Sequence, residues 1–282
     1  MFSGWLPAGD LYNEMDRVFL TNKLHYRALR PAADHWFPGA VVRLKPMVSI
    51  TTLTFKTPSS PPFLVADDLW NRLPLITRAA DRNDTDRLVV RESGILLPDT
   101  VKDAKYNFTG TATLKIYGID IKAGLVTKLF QEAEVSFDDE KVVFISSGTL
   151  RNVGGFMKAP DLLPADGKSG GRQLYMPIEF VTVSGLTLRG KLGSQQELSL
   201  SSGELLGRLG IPETSGSFDV TVTGESSAER VIRVKGNVPY VIAYGELIKL
   251  TPEAVAAMKG RSLSSYEFEK VVLGSTPAPA LR

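Results

Sequence analysis

The sequence predicts an α+β protein: a largely antiparallel sheet with helices around it. Two observations predict it. Apolar and polar residues alternate with period two through most of residues 40–250, the spacing of strands that present one face to a core. The connections between these segments are of hairpin length, and strands joined that way run antiparallel rather than through crossover helices.

The elements follow in order. In LYNEMDRVFLTNKLHYRAL, Leu11, Met15, Val18 and Phe19 fall at helical spacing behind Asp10, a suitable N-cap. After Arg30-Pro31 the chain turns extended: AVVRLKPMVSITTLTF is rich in β-branched residues and punctuated by Pro38 and Pro46. PSSPP at 58–62 reads as a loop, and DDLWNRLPLITRAAD as a short helix that Pro74 interrupts or restarts. Residues 86–121 read as strand, loop, strand. DRLVVRESGILLP runs up and YNFTGTATLKIYGIDI returns, with Phe108, Ala112, Leu114 and Ile116 on one face. Asn107, Thr109, Thr111, Thr113 and Lys115 take the other.

AEVSF and KVVFIS flank Asp138-Asp139-Glu140 as a plain hairpin. A helix-like piece leads to the loop PADGKSGGR at 164–172, and MPIEFVTVSGLTLRGKL forms a long amphipathic strand. In SFDVTVTGESSAERVIRVKG, Phe218, Val220 and Val222 alternate with Asp219, Thr221 and Thr223. After the turn, Ile232 and Val234 come back opposite Arg233 and Lys235. NVPYVIAYGELIKL is the last strongly β segment. TPEAVAAMKGR then opens a helix at Pro252 and stops at Gly260, SYEFEKVV adds a strand, and GSTPAPALR is a frayed end. The expected organisation is a β-rich body, residues 1–250, with a separable tail, 251–282. No repeat of fixed period is present.

Composition removes several classes of function. With 33 Lys and Arg against 31 acids the formal charge is +2, too small for a nucleic-acid binder. The chain has no cysteine, which excludes disulfides, thiolate metal sites and a cysteine nucleophile, and its two histidines cannot build a three-histidine metal site. The start MFSGWLPAGD lacks the basic and apolar regions of a signal peptide, and no apolar run reaches the ~18–20 residues of a spanning helix. A soluble, cytoplasmic resting state is expected, although membrane β-strands escape hydropathy.

Catalytic candidates are weak. His25 and His35 lie near no signature of a serine or carboxylate partner and read as structural, and no G-x-S-x-G elbow occurs. GKSGGR, with Lys168 and Arg172, has the chemistry of an anion cradle but not the Walker spacing, so a surface loop is expected. Asp67-Asp68 and Asp138-Asp139-Glu140 suit solvated turns better than acid–base work. Neither an enzyme nor a cofactor is expected.

A membrane β-strand needs ~9–11 residues with lipid-side alternation. Residues 106–116, 216–225 and 226–236 have that reach, provided the turn GESS is remade at the far side. Arg230 is a cost among Ala228, Ile232 and Val234 unless it snorkels to a rim. The same faces suit packing on a soluble core, and on the residues alone both readings stand.

The layout adds a resemblance. A short N-terminal helix precedes the proline-marked HWFPGAVVRL, a strand pair containing GTATLKIYGIDIKAGL, a helical middle, YMPIEFVTVSGLTL, the amphipathic hairpin and VPYVIAYGELIKL at 238–250. This order, over most of residues 10–250, resembles a bacterial gasdermin, and VPYVIAYGELIKL is similar to the closing strand of the gasdermin pore-forming domain. The resemblance implies a twisted, gasdermin-like central antiparallel sheet in an autoinhibited cytoplasmic monomer. An activating protease would remove a short C-terminal peptide. The body would then bind lipids of the inner membrane, form a homo-oligomer and unfurl two regions, about 86–121 and 175–236, into a β-barrel that kills the cell as antiphage defence.

The inserting residues would be Phe108, Ala112, Leu114, Ile116, Phe218, Val220, Val222, Ile232 and Val234. In the tail, Val255, Met258 and Phe268 would make the inhibitory contacts, with cleavage near Lys259 and Arg261. Bacterial gasdermins often carry an acylated cysteine within the first few residues; this chain has Phe2, Ser3 and Gly4 there. The alternative is a β-rich virion or scaffold subunit whose exposed strands pair between copies.

Overall fold

The computed structural model describes residues 11–33, 41–45, 63–66, 90–92, 97–108, 113–145, 163–193, 200–224, 228–260 and 266–272. Helix α1 (Leu11–Thr21) is followed by β1 (Arg27–Ala33), β2 (Val42–Lys45), β3 (Phe63–Ala66), β4 (Val90–Glu92) and the single-turn α2 (Asp99–Lys102). Next come β5 (Tyr106–Asn107), β6 (Thr113–Ile116), β7 (Ile119–Lys122) and α3 (Ala123–Leu129), which runs into β8 (Phe130–Asp138) and β9 (Lys141–Ile145). β10 (Lys168–Ser169), β11 (Arg172–Pro177) and β12 (Glu179–Leu192) precede α4 (Ser202–Leu209). β13 (Thr214–Ser215), β14 (Phe218–Thr223), β15 (Glu229–Tyr244), β16 (Glu246–Lys249), α5 (Pro252–Gly260) and β17 (Lys270–Val272) complete it. Asp10, His35, Asp67, Asp68, the expected helix at 67–81, Ala112 and Arg261 lie outside the described residues.

The main sheet runs β17-β16-β11-β2-β3-β1-β15-β12-β8-β5, while β6 and β7 pair separately. Every pairing among the described residues is antiparallel except that of β1 with β3. The expected α+β class with a largely antiparallel sheet holds. Local chemistry sets the helix ends. Ser201 and Glu204 form a reciprocal capping box at the start of α4, and Gly210 closes it at φ 71. In α1, Leu11, Met15 and Phe19 form a buried stripe at the expected spacing.

Two expected hairpins are different structures. Among the described residues, 106–108 and 113–121 do not pair with 90–92 or 97–98: β4 pairs β9, β5 pairs β8, and β6 pairs β7. The reason is the two-residue turn Tyr117–Gly118, with φ 50 and 78, which closes a tight hairpin between Ile116 and Ile119. A tyrosine in that left-handed region costs roughly 1–2 kcal/mol, so its surroundings must hold it there. Nor is Asp138-Asp139-Glu140 a hairpin tip. β8 and β9 both pair with β12, Asp138 opposite Gly185 and Lys141 opposite Thr182, so they are one strand with a break. Asp139 takes φ 50 in that break, and the Ser184 hydroxyl donates to its Oδ2 at 2.8 Å.

Two cores flank the sheet. One contains α1, α3, α4, the β6–β7 hairpin and the apolar residues of β8, β12 and β15. The other holds Leu29, Val42, Met176, Phe180, Val241, Tyr244, Leu247, Val255 and Met258. At Phe180–Val183 and Tyr240–Tyr244 side chains enter both cores, Val181, Val183, Tyr240, Ile242 and Ala243 the one and Phe180, Val241 and Tyr244 the other, so both faces are buried. That two-sided burial explains the near-continuous apolar run VPYVIAYG. From Leu186 onward in β12, and from Lys235 back to Ile232 in β15, the one core covers a single face and alternation returns, while Val231, on the other face, is buried as well.

Glu140 corrects the expectation of solvated acids. It is 8% exposed, its Oε2 has no hydrogen-bond partner, and burial, with Asp103 nearby, pushes its carboxyl up to about 8. A folded state that holds this proton more tightly than the unfolded chain loses stability as pH rises from 4.5 to about 8. Glu140→Gln cannot ionise. It is expected to exceed the wild type by roughly 1–3 kcal/mol at pH 8, with the gap closing at pH 4, by urea unfolding; an equal gap at both pH values contradicts the assignment.

Candidate functional site

Beyond Gly185 the sheet is a four-stranded amphipathic ply of β8, β12, β15 and β14. Register builds its apolar face as cross-strand rows: Val135–Leu188–Ile232–Val222 and Phe137–Leu186–Val234–Val220. Opposite faces carry opposite chemistry because successive side chains alternate. The other face is polar in the rows Ser136–Thr187–Arg233–Thr221, Asp138–Gly185–Lys235–Asp219 and Glu132–Lys191–Glu229, while the row Glu134–Arg189–Val231–Thr223 includes the buried Val231. Acids and bases therefore alternate across neighbouring strands, which favours this register. Arg189 and Glu229 meet at 2.8 Å.

Magnitudes rank the two faces. Burying one Val, Leu, Ile or Phe gains roughly 1.5–3 kcal/mol, while a partly exposed ion pair contributes about 1 kcal/mol at most. The apolar face holds the ply in place and the polar face selects its register.

The structure gathers residues that sequence placed in two separate hairpins. Phe108, Leu114 and Ile116 are buried in the same core as Phe218, Ile232 and Val234, and Val220 and Val222 pack against it, half-exposed. Sequence reasoning had both hairpins' apolar faces but not that they share one core, because no local signal encodes which non-local faces meet. Arg230 falls at the outer end of the apolar side, where its Nη1 donates to the Glu229 carbonyl at 3.0 Å. Among the described residues no helix is long and apolar enough to cross a membrane, which says nothing about strands.

The tail residues lie on the other core. Ala254, Val255 and Met258 are buried along one side of α5, and Tyr266, Phe268 and Val271 pack against that core, half-buried. β17 extends the sheet by pairing with β16, Val271 opposite Leu247, and Lys249 Nζ meets Glu269 at 2.9 Å. Lys259 is in the last turn of α5. The GKSGGR segment is a tight turn: Gly170 and Gly171 take φ 54 and 72 between Ser169 and Arg172. Gly167 sits so close to Leu250 that a Cβ would fall 1.6 Å from its carbonyl oxygen, which ties this turn to the start of the tail.

His25 is one corner of a polar cluster. Its Nε2 lies 2.6 Å from Glu179 Oε2, Tyr26 donates its hydroxyl to Glu179 Oε1 at 2.8 Å, and the Glu246 amide reaches Oε2 at 3.3 Å. The bond to Glu179 raises the His25 pKa against the opposing effect of burial. Burial pushes the Glu179 carboxyl up, but the bonds from His25 and Tyr26 outweigh it and the net shift is downward. The cluster joins the start of β1 to β12 and the β15–β16 corner.

These features define a class: an α+β protein whose antiparallel sheet ends in an amphipathic ply with its apolar face covered by helices and a hairpin. Among solved structures the fold is similar to "Structure of a bacterial gasdermin from Bradyrhizobium tropiciagri", at 10% sequence identity and a TM-score of 0.38, over 84% of this chain and 86% of that chain. No family model matches the chain, and no curated protein does.

The His25–Glu179 pair has a calculable pH signature. The depressed Glu179 contributes stability above its ordinary 4.5 that is lost as pH falls through its folded pKa. The raised His25 contributes stability below 6.5 that is lost as pH rises through its folded pKa. Unfolding midpoints of wild type and His25→Gln should differ most between about pH 4.5 and 6.5 and converge at alkaline pH. A difference that stays constant to pH 9 rules out the ion pair as its source.

Proposed function

We propose that this chain is a protease-activated pore former that acts on the cell's own inner membrane as antiphage defence. The observation that carries the proposal is the amphipathic ply: apolar rows on one face and mostly charged and hydroxyl rows on the other. Its strands β8 and β14 are 9 and 6 residues long, so β14 would have to lengthen on insertion to reach the ~9–11 residues of a crossing strand. A barrel strand needs an apolar face toward lipid and a polar face toward water, and these rows would supply both. Edges cannot face lipid unpaired, so many copies must close a barrel together. The polar rows would line the lumen, and Arg230, at the outer end, would lie near the rim.

In the resting chain the apolar rows face the core under α1, α3, α4 and the β6–β7 hairpin, which favours a soluble form. The tail supports the rest of the reading. α5 and β17 fill the opposite core, so cleavage at Lys259 or Arg261 would leave β17 attached by contacts alone. Its effective concentration would collapse on nicking and the strand would leave. The resemblance of the sequence layout to bacterial gasdermins supplies the biological setting, cell death after an activating cut.

Dye-loaded anionic liposomes test the proposal. Intact protein is expected to leave them sealed and protein nicked near residues 259–261 to empty them. Val220→Asp, shown to be folded before nicking, should reduce leakage severalfold, since a carboxylate in mid-membrane costs on the order of 1–2 kcal/mol per copy. Residues 1–250 expressed alone should stop bacterial growth. Nicked, folded protein that leaves vesicles sealed would overturn the function.

A further inference from the structure

Three neighbouring strands lose regular pairing at one level of the sheet. The chain passes from β8 to β9 through Asp139 and Glu140. In β12 the register shifts between Val183 and Gly185. Their partners in β15 are Tyr240 and Lys235, so residues 236–239 bulge opposite Ser184 alone. Pro239 has no amide hydrogen to give to a ladder. Among the described residues no ladder crosses this level unbroken, because β14 reaches only as far as Gly236 in the bulge, where the Asn237 amide also bonds the Ser217 carbonyl, and β5 lies wholly beyond it. It is also where two-sided burial gives way to one-sided burial.

The Tyr117–Gly118 turn sits on this line. Tyr117 is buried with its ring over Gly236, where a Cβ would fall 2.0 Å from Cε1. Its hydroxyl donates to the Val183 carbonyl at 3.2 Å. Tyr240 packs against the Tyr117 ring, centroids 4.9 Å apart, and donates its own hydroxyl back to the Lys115 carbonyl at 3.3 Å. The hairpin thus gives a bond to the near side of the break and receives one from β15, with a glycine making room between them. A non-glycine residue at φ 50 persists only where its surroundings over-determine it.

We propose that this shared break is a hinge line across the sheet, and that the reciprocal Tyr117–Tyr240 clasp holds it shut. When the clasp opens, β14 and the outer parts of β8, β12 and β15 swing as one unit, with their own ladders intact. The hinge is a property of the resting chain and does not rest on pore formation.

Hydrogen exchange of the full-length chain, read by mass spectrometry, tests it. Tyr117→Phe combined with Tyr240→Phe keeps both rings and removes both hydroxyls. Exchange should accelerate roughly three- to tenfold, the factor for one ordinary hydrogen bond, in peptides covering 137–142, 183–185 and 235–240 together. Amides at 186–191 and 219–223 should keep their protection. Gly236→Ala, which drives the ring off its seat, should act in the same segments more strongly; if it does not fold, the paired Phe variant decides alone. Residues 139 and 140 give no hydrogen bond to either tyrosine, so faster exchange confined to β6–β7 and 183–185, with 137–142 unchanged, would overturn the hinge. Uniform acceleration through the outer ply would overturn it too.

Discussion

The interaction on which everything else depends is the pairing of β12 with β15. β12 is bonded to β15 along one edge and to β8 and β9 along the other, and nearly all of its side chains are buried or half-buried. A strand held on both edges cannot slip without moving its whole apolar set to the wrong face. Its register therefore fixes which residues form the cross-strand rows, where the polar face lies, and where the sheet breaks.

From that register follows the division of the molecule. On the Glu179 side the sheet is an interior layer, and the tail is part of what makes it interior. On the Leu192 side it is a ply with one wet face. The same rows satisfy a soluble core and would satisfy a bilayer, because both require only that one face be apolar and the backbone be paired. In the resting fold the cover over those rows is α1, α3, α4 and the β6–β7 hairpin.

Polar groups in the interior sit where the chain changes direction. Glu140 occupies the β8–β9 break, and Glu179 anchors the corner where β1, β12, β15 and β16 meet. One is unpaired and favours its neutral form; the other is triply bonded and favours its charged form. Desolvation acts on both carboxyls, and the hydrogen bonds decide the sign.

The sequence by itself determined the elements whose reason is local. The stripe Leu11, Met15 and Phe19 marked α1, the alternation of Phe218–Thr223 against Ile232–Lys235 marked the β14–β15 hairpin and its faces, and Pro252 to Gly260 marked α5. The tertiary structure decided what local periodicity cannot hold. Asp138-Asp139-Glu140 has the composition of a turn, yet both flanking strands pair with β12 and the acids become a break in one strand, with Glu140 buried. Tyr117-Gly118 lies inside an unbroken β pattern, yet it turns the chain because Gly236, Val183 and Tyr240 give the tyrosine a seat. That the two candidate inserting segments share one core was likewise decided there. Side-chain alternation is a property of neighbouring residues, whereas pairing partners, bulges and shared cores are set by contacts between residues distant along the chain.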